Sequence, residues 1–477
     1  MVQLLLIVTF VALHLAGEFG RVQLLPWPAW ALAALILAPI AALAALFAFI
    51  ANRCGKRMDS QGSARAYFAA DTAQSRLRIL GTAWYIFGVF GLGWVRIVQG
   101  MRRGPAHSHA ALGDVSLADA VIIIFPVIAL FLSLWWSMFP LERRVREAML
   151  FREIERGNPV HPIPTRGQYV WGQFKHNVLI VALPIMLVKL WDDALNLFAS
   201  RAAGAWWPTA EPYLRWGGIV LALIAAPALL RFAWDTVRVG ESPLTAMVRD
   251  MCKRYRVRIN GPFLWRTHGA MVNGAVLGVV WPMRYLLLTD ALLDRLDADH
   301  VEGVLAHEVA HVKKRHLMWL GISVIATVLA CGWAATLLAY VQNWDSQSDT
   351  VAAIASVIGL LGAVMVFGAV SRRFEWQADA FAAKHMSEVR GSPVVTGFAA
   401  GVMTDALQLV ADLNGMRTDA FSWRHGSIAR RQRNLSGLVG LEVGRLPIDR
   451  TVRVIKIVSL VILLAAGIPV LIQAFNS

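Results

Sequence analysis

The sequence predicts a mainly α-helical, polytopic membrane protein of about seven to nine spans, with a water-exposed part that holds a small β-sheet. Three observations lead there. Of the 477 residues, 57% are hydrophobic and 16% charged, whereas soluble domains run at about 45–50% and about 25%. Apolar stretches of about 20 residues cross a bilayer as helices. Such stretches recur at 1–17, 29–51, 79–99, 117–140, 176–198, 214–234, 317–341, 350–370 and 454–475. The run 275–289 is also apolar, but Pro282 and Arg284 break it and Val and Leu fill it. It reads as strands of the water-exposed part.

This composition excludes an ordinary soluble enzyme, a disordered chain and a disulfide scaffold. Cys54, Cys252 and Cys331 are too scattered for a disulfide framework or a cysteine metal cluster. The 46 basic and 31 acidic residues give a net charge of +15. In a membrane protein that excess belongs to cytoplasmic loops rather than to a nucleic-acid surface, so no nucleic-acid partner is expected. The first stretch lacks a basic leader and a small-residue cleavage site, and reads as a retained span. The segments 52–78 and 141–175 are rich in Arg and Lys and read as cytoplasmic, while 342–349 carries only acids and reads as external.

With nine spans the N-terminus lies outside, and 235–316 and 371–453 both face the cytoplasm. The expected domains are then a helical region 1–235 of about six spans, a water-exposed unit 236–453 interrupted by a transmembrane hairpin at 317–370, and a last helix 454–477. Trp27, Trp30, Trp206 and Trp207 sit near span ends as interfacial anchors. Lys189, Asp192, Asp193 and Arg231 line a hydrated cavity or snorkel to the interface; both readings stay open.

The water-exposed part carries one highly specific motif. Residues 301–316 read VEGVLAHEVAHVKKRH, with His307 and His311 four positions apart and Glu308 beside the first. The flanking residues form helices readily, and Asp297 or Asp299 can cap the start. Positions i and i+4 share a helix face, so both imidazoles can grip one metal ion. A carboxylate beside the first ligand can take a proton from the attacking water. A catalytic zinc needs a third protein ligand and an open position. The longer HExxHxxGxxH pattern does not supply it, because Lys314 and Leu317 occupy its Gly and third His slots.

Farther on, SRRFEWQADAFAA at 371–383 places Glu375 and Asp379 at i and i+4 of another helix. The hairpin between the two motifs returns the chain to the membrane face it left. Glu375 is therefore the expected third ligand. Asp379 is expected to accept a hydrogen bond from a ligand imidazole and set its tautomer. Two His and one carboxylate with an open position favour one Zn2+ per chain.

These motifs resemble the gluzincin membrane-protease family that includes the CAAX prenyl endopeptidases and the bacterial heat-shock inner-membrane zinc proteases. The resemblance spans about residues 255–440 and rests on VNGAVLG, RYLLLTDALLDRL, HEVAH, FEWQAD and HGSIARRQRNL. It implies a gluzincin-type zinc metalloprotease domain on membrane helices, with HExxH and ExxxD elements at His307, Glu308, His311, Glu375 and Asp379. The family's late H-P-x-x-x-x-R element falls on His425 and Arg431, with Gly426 where proline is usual. The resemblance implies that His425 points at the metal and stabilises the tetrahedral intermediate. The family's strand asparagine falls on Asn273, followed by Gly274 rather than alanine, and the strand after it is implied to pair with an extended substrate.

The expected activity is hydrolysis of peptide bonds in membrane-associated or misfolded membrane polypeptides. Glu308 moves the proton, and His425 donates to the oxyanion. The substrate is held as an added β-strand. The expected setting is the bacterial inner membrane, with the active site facing the cytoplasm. Two alternatives stay open: a CAAX-type processing protease, which shares the same cleavage motifs, and a signalling sensor that joins spans to HExxH. A sensor predicts an external domain, yet the external loops here are short. His107 and His109 fall on the side opposite the proposed site.

Overall fold

The structure, a computed structural model, describes residues 2–476 apart from 4, 8, 10–24, 26, 62, 63, 104–115, 156, 158, 159, 203, 205, 270 and 343–348. His107, His109 and most of 1–17 therefore lie outside the described residues. The chain forms two compact units, residues 1–234 and 235–477.

The first unit is helical: α1 (Ala29–Gln61), α2 (Ala64–Gly91), α3 (Trp94–Arg103), α4 (Leu117–Glu155), α5 (Arg166–Phe174), α6 (Ile180–Ala202) and α7 (Trp207–Ala233). A capping box starts α5: Thr165 Oγ1 accepts from the Gln168 amide at 3.3 Å, and Gln168 Oε1 accepts from the Thr165 amide at 2.8 Å. A π-helical turn over Lys175–Leu179 leads into α6. Ile36 and Phe47 of α1, Tyr85 of α2 and Val127, Phe131 and Leu134 of α4 are fully buried between the helices. Tyr85 meets the polar requirement of that site by donating its hydroxyl to the Ile123 carbonyl at 2.6 Å. Large apolar side chains such as Phe49, Leu80, Phe125 and Trp136 stand exposed on the outside, as they do where hydrocarbon is the solvent.

Among the described residues four helices are long and apolar enough to cross a membrane: α1, α4 over Leu117–Phe151, α7, and one helix of the second unit. A fifth span arises if α2 and α3, bent by 69° at their junction, count as one. These helices make the chain an integral membrane protein. The stretch 176–198 is helical in α6. It carries Lys189, Asp192 and Asp193, and Lys189 Nζ pairs with Asp192 Oδ2 at 3.0 Å while Arg215 of α7 pairs with the other oxygen. This pairing of Lys189, Asp192 and Arg215 is neither of the two readings drawn from the sequence, a hydrated cavity or snorkelling.

The second unit contains β1 (Thr236–Arg238), α8 (Pro243–Tyr255), β2 (Asn260–Trp265), β3 (Gly274–Leu277), β4 (Tyr285–Thr289), α9 (Asp290–Arg295), α10 (Ala298–Lys313), α11 (His316–Val341), α12 (Asp349–Val389), α13 (Gly397–Leu413), α14 (Ile428–Ser436) and α15 (Pro447–Asn476). The apolar run 275–289 is the β3–β4 hairpin. Gly278 takes φ +100 at its turn, where an added Cβ would lie 1.9 Å from the Met283 carbonyl oxygen. The sheet runs β1-β2-β4-β3, with β2 and β4 parallel and the other pairs antiparallel. All five residues of β4 are buried, as expected of an apolar central strand covered on both faces. β3 is an edge strand with one row of backbone groups unpaired by the sheet.

Helix α12 is 41 residues long, which at about 1.5 Å per residue is about 60 Å. A bilayer core takes about 30 Å of that. The apolar stretch 350–370 and the acidic motif 371–383, read from sequence as separate helices, are one rod. Its second half extends beyond the apolar stretch and packs on α10. Ala306 and Ala310 of α10 and Ala378 and Ala382 of α12 are completely buried. Their small side chains let the two helices approach closely enough for short polar side chains to meet.

Candidate metal centre

Asp297 starts α10, its Oδ1 accepting from the His300 amide at 3.0 Å. Of the two caps considered, this is the one used. The face carrying Val301, Leu305 and Val309 is buried, which fixes the rotation of α10 and turns His307 and His311 toward α12. Their ring Nε2 atoms lie 3.2 Å apart. From α12, Glu375 Oε2 lies 3.7 Å from His307 Nε2 and Oε1 lies 3.9 Å from His311 Nε2. Donor atoms of these three residues all fall within 4.8 Å of one another. In a tetrahedron with zinc–nitrogen bonds of about 2.0–2.1 Å, neighbouring ligands stand about 3.3 Å apart.

The far side of each imidazole is also engaged. Asp379 Oδ1 is 3.0 Å from His307 Nδ1, and His316 Nδ1 is 2.9 Å from His311 Nδ1. Both Nε2 atoms are thereby left facing Glu375. Two imidazole nitrogens and one carboxylate aimed at one point fit a single divalent ion with an open position, the donor set of a catalytic zinc.

Arg431 on α14 holds the acidic side together. Its Nε and Nη2 donate to the two Asp379 oxygens at 2.8 and 2.6 Å, and Nη1 lies 3.4 Å from Glu375 Oε2. Arg431 and Leu435 form the buried face of α14, whereas its neighbours Arg430 and Arg433 stay outside the cluster. Burial penalises the Asp379 charge, but Arg431 and His307 outweigh it and hold its pKa at about 2. Burial opposes ionisation of Glu375 too, yet His425 and Arg431 keep it well below the usual range. Burial disfavours the His307 cation, but contact with Asp379 raises its pKa. His311 is pushed down by burial and then by His307.

Glu308 is half-buried and stands between α10 and the edge strand, its Oε2 accepting from the Val276 amide at 3.0 Å. Burial raises its pKa and nearby Glu375 adds to that, against the Val276 amide and His307. A carboxylate made more basic in this way is suited to accept a proton. His425 projects from the loop before α14, about half exposed, with Nδ1 at 3.1 Å from Glu375 Oε1. Trp423 anchors that loop by stacking on Phe367 of α12 at 5.1 Å and accepting from Arg372 through its carbonyl at 2.8 Å. Gly426 takes φ +75, a conformation closed to proline, so the departure from the family pattern at this position is also a local departure in backbone. Asn273 is exposed just ahead of β3, its backbone bonded to Thr289.

His307, Glu308, His311, Glu375, Asp379, His425 and Arg431 thus converge, while Asn273 stands at the entrance to the strand beside them. His316 was not singled out as a participant by the sequence reasoning. No spacing rule marks it, because position i+5 lies on another face of a continuous helix.

Residues 265–436 match the family model described as Peptidase family M48, in agreement with the resemblance drawn from the motifs. Among curated proteins, a protease HtpX homolog of Sulfurihydrogenibium sp. is 31% identical over 171 residues, which is 33% of this chain and 55% of that protein. One from Bacteroides fragilis is 26% identical over 197 residues, 39% of this chain and 59% of that protein. One from Methanopyrus kandleri is 33% identical over 99 residues, 20% of this chain and 30% of that protein. The chain therefore spans between about a third and three-fifths of these relatives' length. Among solved structures, the crystal structure of S. mikatae Ste24p aligns with 84% of this chain and 97% of its own, at 14% identity and a TM-score of 0.47.

Proposed function

Starting from that family match, we propose that this chain is an integral-membrane zinc endopeptidase acting on membrane-associated or misfolded membrane polypeptides. The observation that carries the reading is the convergence of His307, His311 and Glu375 on one point, with Glu308 beside it and an open sheet edge alongside. His307, His311 and Glu375 hold the metal; zinc there would polarise the scissile carbonyl and acidify the attacking water.

The chain's own residues supply the rest. The substrate lies extended along β3. In the β3–β4 ladder Asn273 faces β4, its carbonyl accepting from the Thr289 amide at 3.0 Å. By alternation, the backbone groups of Gly274 and Val276 face the free edge. The Gly274 amide and carbonyl and the Val276 carbonyl offer pairing to an added strand, while the Val276 amide is held by Glu308. Glu308 takes the proton from the attacking water and returns it to the leaving amine. His425, on the side of Glu375 open to solvent, donates to the oxyanion. Asp379 and Arg431 hold His307 and Glu375 in place. The Arg- and Lys-rich segments 52–78 and 141–175 support a site on the cytoplasmic face of a bacterial inner membrane.

The test is cleavage of an unfolded polypeptide by the purified, zinc-loaded protein in detergent, beside Glu308→Gln. Glutamine still accepts from the Val276 amide but takes no proton, so the variant should keep its zinc and lose about 10²–10⁴ in rate. Chelation should abolish cutting by the wild type. Equal cutting by both proteins would sink the proposed general base.

A further inference from the structure

We propose that His316, Gln377 and Asp449 form a hydrogen-bonded relay of fixed polarity that sets the tautomer of His311, which makes His316 a positioning residue for the metal; the inference rests on the metal-centre reading above. His311 Nδ1 and His316 Nδ1 lie 2.9 Å apart. Two ring nitrogens at that distance need one proton between them. His311 presents Nε2 to the metal position, so its own proton sits on Nδ1 and His316 accepts through Nδ1. His316 then carries its proton on Nε2, which lies 2.9 Å from Gln377 Oε1. The Gln377 amide nitrogen donates in turn to Asp449 Oδ1, and Lys314 Nζ donates to the same oxygen at 2.9 Å.

Every link joins a donor to an acceptor, and reversing one link sets two donors or two bare lone pairs against each other. The carboxylate end accepts only, so the polarity runs one way from Asp449 and requires a bare Nε2 on His311. His316 is 3% exposed and stacks on Phe374 at 4.5 Å and 7°, which holds the ring in its plane. Both of its nitrogens are engaged, so it is a support for a ligand and not a fourth ligand. Asp449 lies in the first turn of α15, Gln377 on α12 and Lys314 at the end of α10. Through His316 at the start of α11, the relay therefore ties His311 of α10 to α11, α12 and α15.

The full chain in detergent, stripped and reloaded with zinc against a competing chelator, tests this. The comparison is wild type with His316→Leu, His316→Asn and Gln377→Leu, each also loaded with cobalt to read the absorption bands of the ligand field. His316→Leu removes the acceptor and should weaken zinc about 10–100-fold and shift the cobalt bands. His316→Asn keeps an acceptor oxygen where Nδ1 stands and should hold zinc to within about threefold of wild type. Gln377→Leu frees the His316 tautomer and should fall between the two, which keeps the test alive should His316→Leu fail to fold. Wild-type affinity in His316→Leu, or equal losses in the Asn and Leu variants, would overturn the relay. Failure of the wild type itself to hold zinc would instead overturn the metal centre on which it stands.

Discussion

Replacing Arg431 by methionine keeps the length and apolar stem of the side chain and removes only the guanidinium. In the metal-free protein that group is the cation shared by two buried carboxylates, through bonds of 2.8 and 2.6 Å to Asp379 and a 3.4 Å contact with Glu375. Breaking a buried pair by deleting one partner costs about 3–5 kcal/mol. For a unit of this size that corresponds to a fall of roughly 6–20 °C in the thermal midpoint.

The pH dependence gives the sharper check. In the wild type Asp379 is held at about 2 against an ordinary 3.8. Its folded pKa is depressed, so its contribution of about 2 kcal/mol is fully present above the ordinary value and is lost as pH falls toward the folded value. Without Arg431 the His307–Asp379 pair lacks its neutralising cation, and one proton shared by that pair restores the balance. Arg431 opposes protonation of His307 in the wild type, so its removal raises the proton affinity of the folded pair. The variant therefore gains more stability than the wild type as pH falls from about 7.5 to about 5.5, a window in which the Asp379 contribution, lost only below 3.8, stays constant. The assay is thermal unfolding of the chelator-treated, full-length protein at a fixed scan rate, at about pH 7.5 and about pH 5.5. The variant should melt far below wild type at the higher pH and recover part of the gap at the lower. A gap of under about 2 °C, or one that widens on acidification, would refute the account of Arg431 as a buried counter-ion.

Two further outcomes follow from the loop before α14. His425→Ala should lower kcat by about 10²–10³, the scale of a lost oxyanion donor, while zinc affinity measured by chelator competition stays near wild type; loss of zinc would make His425 a ligand support instead. Gly426→Ala forces a side chain into φ +75 at a cost of about 1–2 kcal/mol. It should displace His425 and so lower kcat more than it raises KM, whereas unchanged kinetics would show that the loop conformation does not position His425.

The residues of the candidate metal centre were legible because their signals are local. His307 and His311 share a face at i and i+4, and so do Glu375 and Asp379, so each helix declares its half of the site without its partner. Bringing the halves together needed only the inference that two apolar stretches form a hairpin, and α11 and α12 do return the chain to α10. The β3–β4 hairpin was legible from an apolar run broken by Pro282 and Arg284. The span count was less so. Asp192 of α6 pairs with Lys189 on its own helix and with Arg215 on α7, and no hydropathy window registers that pairing.

His316 and Arg431 show where local reasoning ends. In an unbroken helix the fifth residue onward points about 140° away. His316 reaches back to His311 because the helix breaks at Lys314 and Arg315, Arg315 taking φ +55. Arg431 is one of three arginines within four residues of RRQRN; the family resemblance marks it, but its partner Asp379 is set by the packing of α14 against α12. Periodicity and spacing identify which residues of this chain can bind a metal, because those depend on neighbours along one helix. Which tautomer His311 adopts, and which arginine neutralises Asp379, depends on side chains brought from α10, α11, α12, α14 and α15 at once, and that is settled by how the helices pack.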